Sequence, residues 1–204
     1  MPALTSLVIP VKAGAGAKSR LVGDAASRAA LARAIALDTV VAARESDAVG
    51  ELVVVGSLFS PVAGVRVIDD PGGGLSGAVD AGLALLDPGC PSAVMLGDLP
   101  ALKPEELATA FAVAAEHDRA FVPDTEGTGS TLIVARAGVP HAPRFGPASA
   151  ARHRAEGYVE LEFARLSGLR RDIDTREQLE AAASLVLGVR TRALLSGSAG
   201  DRRG

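Results

Sequence analysis

The sequence predicts a single α/β domain with a mostly parallel sheet, and three observations favour this fold class. Apolar, β-branched runs alternate with segments of helical composition along most of the 204 residues, which is the pattern of strand–helix–strand units. The first run, Ser6–Val11, is almost wholly apolar, as is typical of a strand buried on both faces of a sheet. The length suits one complete hydrophobic core and is short for two.

The first half of the chain supplies the elements of these units in order. After the first strand, Ala25–Arg44 is predicted as a helix, because its alanine-rich sequence has high helical propensity and an apolar face. Short apolar runs predict the strands Glu51–Val55, Val65–Ile68, Ala93–Leu96 and Ala120–Val122. Helices are predicted at Ala78–Leu86, after the loop "DDPGGGLSG", and at Pro104–Glu116, where proline suits the first turn.

The pattern is less regular in the second half of the chain. We predict strands at Ser130–Ala135 and Tyr158–Leu161. A loop and a helix are predicted between them, at Arg144–Glu156. A final helix is predicted at Thr175–Leu187. The small and polar residues at 196–204 predict a disordered tail, so the folded domain is expected to span residues 1–195.

Composition and charge exclude several classes of protein. The chain is 48% hydrophobic and 22% charged, which is typical of a folded globular protein. A net charge of −3 gives no general attraction to nucleic acid. The single Cys90 excludes an intrachain disulfide, and the three histidines lack metal-ligand spacing. Without a long apolar stretch or a basic leader, we expect a cytoplasmic protein that binds neither nucleic acid nor membrane.

The loop after the first strand, "KAGAGAKSR", has the composition of a phosphate-binding loop, but it matches neither common motif. It is not a P-loop, because Lys12 and Ala17 stand where G-x-x-x-x-G-K-[ST] requires glycine. It is not a dinucleotide-binding loop either, because Ser19 replaces the third glycine. In addition, the residues about 20 positions further on fall in a helix rather than at the end of a second strand.

Two glycines and three cations of this loop still favour a nucleotide triphosphate. Gly14 and Gly16 allow the backbone to approach phosphate closely, and Lys12, Lys18 and Arg20 carry the charge that neutralises it. Ligands of open α/β sheets lie beyond the carboxyl ends of the strands, which is where this loop begins. The alternative is a solvated surface loop.

Carboxylates follow two later segments and predict a metal site. Asp98 comes directly after the apolar strand of "AVMLGDLPAL", where a carboxylate can hold magnesium against a bound triphosphate. The alternative for Asp98 is a turn or cap. Asp172 and Asp174 alternate in "RRDIDT" and so point to one face of an extended segment. We assign Asp172 to metal, whereas Asp174 fits either a metal site or the cap of the helix that follows.

Two further stretches carry hydroxyl groups suited to an anion. "GTGST", Gly127–Thr131, combines hydroxyls with glycines. "PRFGPASAARH", Pro143–His153, places Gly146 and Ser149 at the start of a helix, which favours a negative charge. A second anion site facing the first indicates two phosphorylated substrates. A hairpin turn and an ordinary helix start are the alternatives.

These stretches together resemble a known enzyme family. "IPVKAGAGAKSRL", "VMLGDLPAL", "GTGST", "PRFGPASAARH" and "DIDT" recur in this order in the 2-phospho-L-lactate/phosphoenolpyruvate guanylyltransferases of coenzyme F-420 biosynthesis. The resemblance covers roughly residues 6–187. It implies a nucleotide-diphospho-sugar transferase-like three-layer sandwich and transfer of GMP from GTP to a three-carbon phospho-acid, with release of pyrophosphate.

The resemblance also implies roles for residues at matching positions. Asp98 and Asp172, with Asp174 as a further candidate, are expected to bind Mg²⁺. The phospho-acid is expected at Ser130, Gly146 and Ser149. The triphosphate is expected along Lys12, Lys18 and Arg20, and the nucleotide at Gly14, Gly16, Lys18 and Ser76. GTP, phosphoenolpyruvate or 2-phospho-L-lactate, and a downstream transferase of the same pathway are the implied partners.

The chain departs from the family pattern at two positions, and alternatives remain. Ser76 replaces a common asparagine, which puts a nucleotide contact in doubt, and Ala148 replaces the aspartate of "FGPDS". Phosphoenolpyruvate is favoured over 2-phospholactate by the style of the motifs alone. Another nucleotidyltransferase, such as a molybdopterin guanylyltransferase-like enzyme, and a non-catalytic nucleotide-binding protein are the other interpretations.

Overall fold

The chain folds around one seven-stranded, mostly parallel sheet. The computed structural model describes residues 3–12, 24–164, 167–182 and 185–200. The strands are β1 (Thr5–Val11), β2 (Val49–Gly56), β3 (Arg66–Ile68), β4 (Ser92–Met95), β5 (Arg119–Pro123), β6 (Ser130–Ala135) and β7 (Val159–Glu160). Their order in the sheet is β3-β2-β1-β4-β6-β5-β7. Among the described strands, only β6 pairs antiparallel, with β4 on one side and β5 on the other.

Helices cover both faces of the sheet and give three layers. They are α1 (Ala25–Arg44), α2 (Gly74–Leu83), α3 (Pro104–Ala114), α4 (Ser149–Ala155), α5 (Arg176–Ala181) and α6 (Val189–Gly200), with a 3-10 turn at Gly168–Arg170. Alternate residues of each strand face opposite layers. Leu7 and Ile9 of β1 pack in the core under α1 and α3, whereas Val8 packs in the core under α2. The predicted α/β fold class with a mostly parallel sheet is confirmed.

The bounds of α1 and β6 agree with the sequence prediction to the residue, and most others differ by one to three positions. Helix α2 differs more, since it begins at Gly74 rather than at the predicted Ala78. Glycines 72, 73 and 74 all have positive φ, and Gly73 forms the N-cap. The glycine-rich segment was predicted as loop because glycine disfavours helices; the first turn of α2 is exposed at Gly74, Leu75 and Ser76, and burial begins at Ala78.

The C-terminal region differs from its prediction. In place of one helix at Thr175–Leu187, α5 ends at Ala181 and a separate helix, α6, follows from Val189 to Gly200. Helix α6 starts where it does because the Asp38 carboxylate of α1 accepts hydrogen bonds from the backbone of Arg190 and Thr191. It includes residues 196–200, the first part of the predicted tail, while 201–204 lie outside the described residues.

Among the residues that the structure describes, no helix combines the length and the apolar character that a membrane-spanning helix needs.

Candidate active site

Asp98 lies at the carboxyl edge of the sheet, directly beyond β4 and Gly97. A Cβ atom on Gly97 would lie 2.9 Å from the carbonyl oxygen of Pro10, so a larger residue would push β4 away from β1. The next residue is fixed from α1, because Leu99 donates its backbone N–H to the hydroxyl of Thr39 at 3.0 Å. The backbone on both sides of Asp98 is therefore held by buried contacts.

A backbone hydrogen bond brings the segment that carries Asp172 and Asp174 next to Asp98. The N–H of Ile173 donates to the carbonyl oxygen of Asp98 at 3.1 Å, so Asp172 and Asp174 flank the point of contact. The segment before them is anchored by Glu106 of α3, which accepts hydrogen bonds from the Ser167 hydroxyl (2.7 Å) and from the N–H of Gly168 (2.9 Å). The structure thus brings together three aspartates that are far apart in sequence.

These three aspartates form what we call the acidic cluster: Asp98, Asp172 and Asp174. One carboxylate oxygen from each lies within 4.8 Å of the others. Burial, together with the charges of Asp98 and Asp174, raises the pKa of Asp172 to about 7. The Oδ1 atom of Asp172 is buried and accepts no hydrogen bond from any residue that the structure describes. A hard divalent cation, which prefers carboxylate oxygen, fits this set of ligands.

The alternative role of Asp174 as a helix cap is taken by its neighbour. The Thr175 hydroxyl accepts a hydrogen bond from the backbone N–H of Gln178, and Thr175 is the N-cap of α5. The Gln178 side chain in turn accepts from the N–H groups of Asp174 and Thr175. This capping box engages the backbone N–H of Asp174, while the Asp174 carboxylate lies in the acidic cluster.

A cavity of about 580 Å³ opens beside the acidic cluster, between α1, α2 and the carboxyl ends of β1, β2 and β4. Asp98 and Asp174 line one part of it, and Lys12 at the end of β1 lines another. Phe59 and Arg33 also line it, with the guanidinium carbon 4.6 Å from the ring centroid. This pair was not predicted, because nothing local in the sequence indicates that a helix residue and a loop residue meet there.

The remaining predicted nucleotide-binding residues divide into two groups. Ser76 is an exposed residue in the first turn of α2, and it is not among the residues that line the cavity. Gly14, Gly16, Lys18 and Arg20 lie outside the described residues.

Two of the three predicted phospho-acid residues, Ser130 and Ser149, lie with His153 in a second group, which we call the hydroxyl cluster; the third, Gly146, lies in the loop before α4. All three members of the hydroxyl cluster are buried. The hairpin between β5 and β6 is shaped by Asp124, whose carboxylate accepts from the N–H groups of Thr128 and Gly129. The register between the strands then shifts at the start of β6, and the Ser130 hydroxyl meets His153 of α4 at 2.9 Å.

The loop before α4 is held in an unusual conformation. Gly146 has φ 104° and Ala148 has φ 55°, the left-handed region that alanine rarely adopts. The Arg152 guanidinium donates hydrogen bonds to the carbonyl oxygens of Phe145 (3.1 Å) and Pro147 (2.6 Å), which ties the loop to the helix. This device was not evident from the sequence.

The first two backbone amides of α4 already have hydrogen-bond partners. The N–H of Ser149 donates to Gly146 and that of Ala150 donates to Thr128, so the first two amides of the helix are already engaged. Any anion here must therefore be held by side chains and by other groups.

Both clusters lie at the same edge of the sheet. Because β4 and β6 are antiparallel, the start of β6 lies beside the end of β4, where Met95 pairs with Leu132. One step further, the N–H of Leu96 donates to Thr131 at 2.9 Å. Ser130 is therefore adjacent to the strand end that carries Asp98, which is the arrangement expected of two ligands that react with each other.

The sequence matches a known family over most of its length. A family model described as guanylyl transferase CofC like matches residues 5–173. The chain belongs to this family. A curated relative, the phosphoenolpyruvate guanylyltransferase of Thermomonospora curvata, is 47% identical over 93% of this chain and 87% of its own length. The predicted family is confirmed, and with it the class of enzyme, a nucleotidyltransferase.

Solved structures agree with this family assignment at the level of the fold. A protein from Desulfovibrio desulfuricans G20 assigned as a nucleotide-diphospho-sugar transferase has a TM-score of 0.61 at 17% identity, covering 93% of this chain and 97% of its own. A Mycobacterium tuberculosis protein in complex with manganese has a TM-score of 0.55 at 18% identity, covering 90% and 100%. The predicted nucleotide-diphospho-sugar transferase-like architecture of the guanylyl transferase is confirmed.

Proposed function

We propose that this guanylyl transferase transfers GMP from GTP to phosphoenolpyruvate, forming enolpyruvoyl-2-diphospho-5'-guanosine and releasing pyrophosphate. A phosphate oxygen of the acid attacks the α-phosphorus of GTP, and the bond to the β-phosphate oxygen breaks. The single observation that carries the proposal is the position of the acidic cluster, between a cavity of nucleotide size and the hydroxyl cluster. The name and coverage of the Thermomonospora curvata relative support phosphoenolpyruvate as the acid.

The nucleotide is assigned to the cavity. Its walls at Ala29, Ala32 and Ala36 are small, which leaves space for a flat base, and Phe59 adds an aromatic surface. Lys12 at the end of β1 supplies positive charge toward the triphosphate. We place Gly14, Gly16, Lys18 and Arg20 along the same phosphates, as the family resemblance implies, and leave Ser76 at the margin.

We assign the acidic cluster to Mg²⁺, held by Asp98, Asp172 and Asp174. The relative in complex with manganese and the buried Oδ1 atom of Asp172 support a divalent cation here. When bound, Mg²⁺ neutralises charge on the α-phosphate and on the leaving pyrophosphate. Asp172 then remains ionised as a ligand, because a cation offsets the burial and repulsion that raise its pKa to about 7.

The acid is assigned to the hydroxyl cluster and Gly146. A phosphate monoester carries close to two negative charges at pH 7, so its oxygen needs no strong general base before it attacks. The task of the protein is to hold two anions in line and to limit their repulsion. Buried hydroxyl donors at Ser130 and Ser149 suit that task, because they bind a phosphate without adding charge.

Substrates and product also indicate where the enzyme works. GTP and phosphoenolpyruvate are intracellular metabolites, so we place the enzyme in the cytoplasm. The product joins two phosphates through an anhydride, which makes GMP a good leaving group. We therefore expect a transferase to consume it.

Pyrophosphate release tests the proposal. The purified chain is given GTP and Mg²⁺ with phosphoenolpyruvate, 2-phospho-L-lactate or 3-phosphoglycerate in separate reactions. We expect release with phosphoenolpyruvate that Asp98→Asn abolishes. Release with 2-phospho-L-lactate alone would show that this acid, and not phosphoenolpyruvate, is the substrate. If a protein that still binds GTP releases no pyrophosphate with any of the acids, guanylyl transfer is contradicted.

A further inference from the structure

The buried histidine of the hydroxyl cluster uses both of its ring nitrogens. The backbone N–H of Arg144 donates a hydrogen bond to Nε2 of His153 at 2.9 Å. On the other side of the ring, Nδ1 lies 2.9 Å from the hydroxyl oxygen of Ser130. The imidazole is therefore a bridge between the loop before α4 and the first residue of β6.

The Arg144 contact determines which nitrogen carries the proton. A backbone amide can only donate, so Nε2 must be the acceptor and cannot bear hydrogen. The neutral ring then carries its proton on Nδ1. Burial, assisted by the charge of the nearby Arg152, lowers the pKa of His153 to about 4, which keeps the ring neutral near pH 7. Nδ1–H consequently donates to the Ser130 oxygen.

This direction leaves the hydroxyl proton of Ser130 available. The serine oxygen accepts from His153, and within the described part of the chain that hydroxyl makes no second hydrogen bond. A phosphate ester near pH 7 offers mainly acceptor oxygens. A serine poised only as a donor matches such a ligand.

We propose that His153 is a positioning residue that fixes the Ser130 hydroxyl as a donor to the phosphate of the acid substrate. This inference rests on the proposed function, because it assumes that a phospho-acid binds at Ser130. Nothing in the reaction requires His153 to exchange a proton. Its effect is on the affinity for the acid and not on the affinity for GTP.

The ring is held against rotation by its surroundings. Three aromatic rings pack around it, with centroids 5.2 Å away for Phe145 and Tyr158 and 6.0 Å away for Phe121. A flipped imidazole would place carbon atoms opposite both partners and lose two hydrogen bonds in a buried site. The orientation needed to direct Ser130 is thus built into the core.

The second buried histidine provides an internal comparison. His141 contacts the Tyr158 hydroxyl through Nδ1 and the Ser92 residue through Nε2. Ser92 lies at the start of β4, away from the carboxyl edge, whereas Tyr158 also packs against the ring of His153. A substitution of His141 disturbs a similar buried network without touching Ser130.

Two variants separate the role in positioning from the role in packing. Asparagine at position 153 can place an amide N–H near Nδ1, whereas glutamine reaches the position of Nε2 and leaves Ser130 without its donor. Both remove the same ring. We expect His153→Gln to raise the KM for phosphoenolpyruvate roughly tenfold, and His153→Asn to stay within about threefold of the wild type. The KM for GTP should stay unchanged in both, as it should for both acid and GTP in His141→Asn.

The Ser130→Ala background sharpens the test, since His153→Gln should then have no further effect on the KM for phosphoenolpyruvate. Equal effects of glutamine and asparagine, or an additive effect in the Ser130→Ala background, would overturn the positioning role. If the wild type itself releases no pyrophosphate with phosphoenolpyruvate, the proposed function fails rather than this inference.

A measurement on the unmodified protein covers the case in which the variants do not fold. The chain contains three histidines, and ¹⁵N NMR of the imidazole rings distinguishes the two neutral tautomers. We expect His153 to carry its proton on Nδ1 at pH 7. A proton on Nε2, or a charged ring, would overturn the inference, because Ser130 would then lose its fixed direction.

Discussion

The acidic cluster and the hydroxyl cluster are neighbours at one edge of the sheet, yet they are built on opposite principles. In the acidic cluster, three carboxylates approach within 4.8 Å, and burial raises the pKa of Asp172 to about 7. In the hydroxyl cluster, His153 is neutral and both of its nitrogens have partners. One region concentrates charge, and the other arranges neutral donors.

The difference predicts how strongly each ligand changes the stability of the protein. Converging carboxylates repel one another, so the acidic cluster lowers stability until a cation is bound, and it gains stability from the cation by mass action. Neutral hydroxyls directed by buried partners lower the stability of the ligand-free protein little, and their orientation is fixed before the ligand binds. Metal should therefore change the stability of this protein much more than the phospho-acid does.

The largest effect should come from breaking the acidic cluster. Asp98→Asn removes the carboxylate that the strand end directs at the site, and we expect guanylyl transfer to fall by about 10³-fold because charge on the phosphates is no longer offset. Pyrophosphate release measures this. Asp47→Asn, an exposed residue in the turn before β2, is the matched control and should keep full activity. Activity above a tenth of the wild type in Asp98→Asn would contradict the comparison.

A smaller effect is expected on stability, where the loss of one carboxylate of the acidic cluster should raise the free energy of unfolding. Asp172→Asn removes one of the repelling charges, so we expect the metal-free protein at pH 8 to become more stable by about 1–3 kcal/mol. Thermal and urea unfolding measure it. Added Mg²⁺ should stabilise the wild type and should have little effect on Asp172→Asn. A variant less stable than the metal-free wild type at pH 8 would show that repulsion is not the dominant effect.

Asp172 also determines how the free energy of unfolding changes with pH. The pKa of Asp172 is raised from 3.8 to about 7 on folding, so between these values the folded chain holds a proton that the unfolded chain releases. Its contribution to the free energy of unfolding is complete below about pH 4 and falls as the pH rises to about 7. The difference in stability between the wild type and Asp172→Asn, without metal, should widen over this range in favour of the variant.

A change in the hydroxyl cluster should act on one substrate. Ser130→Ala removes a donor to a charged ligand, and we expect the KM for phosphoenolpyruvate to rise roughly tenfold. The KM for GTP and the binding of Mg²⁺ should stay near wild-type values. Steady-state kinetics with each substrate varied in turn decides this, and parallel changes in both KM values would remove the distinction between the clusters.

The smallest expected effect concerns the loop before α4. Ala148 has φ 55°, a conformation that costs alanine about 1 kcal/mol and asparagine less. Ala148→Asn should therefore raise the free energy of unfolding by about 0.5–1 kcal/mol. Ala151→Asn, at an exposed helical position, should lower it instead. Equal changes in the two variants would show that the left-handed backbone carries no strain.

Elements that follow from local pattern were predictable, and elements fixed by distant partners were not. Buried parallel strands such as β1 and β2 have continuous apolar runs, so the sheet was evident from the sequence. Helix α6 has no clear apolar face and depends on the Asp38 carboxylate, 152 residues away from its first turn. No local pattern contains that contact.

The candidate site divides in the same way. Asp98 was found because a carboxylate after a buried strand has a known place in this architecture. Its approach to Asp172 depends on one backbone hydrogen bond from Ile173, which spacing along the chain does not reveal. The direction of the Ser130 hydroxyl depends on the amide of Arg144 acting through a buried ring. The assigned roles of these residues remain predictions.

The most direct test of the central claim, that the acidic cluster is a divalent-cation site, is a titration with Mn²⁺ followed by electron paramagnetic resonance at pH 8 without nucleotide. The wild type should bind one Mn²⁺ per chain, Asp172→Asn should bind it at least about tenfold more weakly, and Asp47→Asn should match the wild type. Equal binding by all three proteins would place the metal elsewhere and contradict the account.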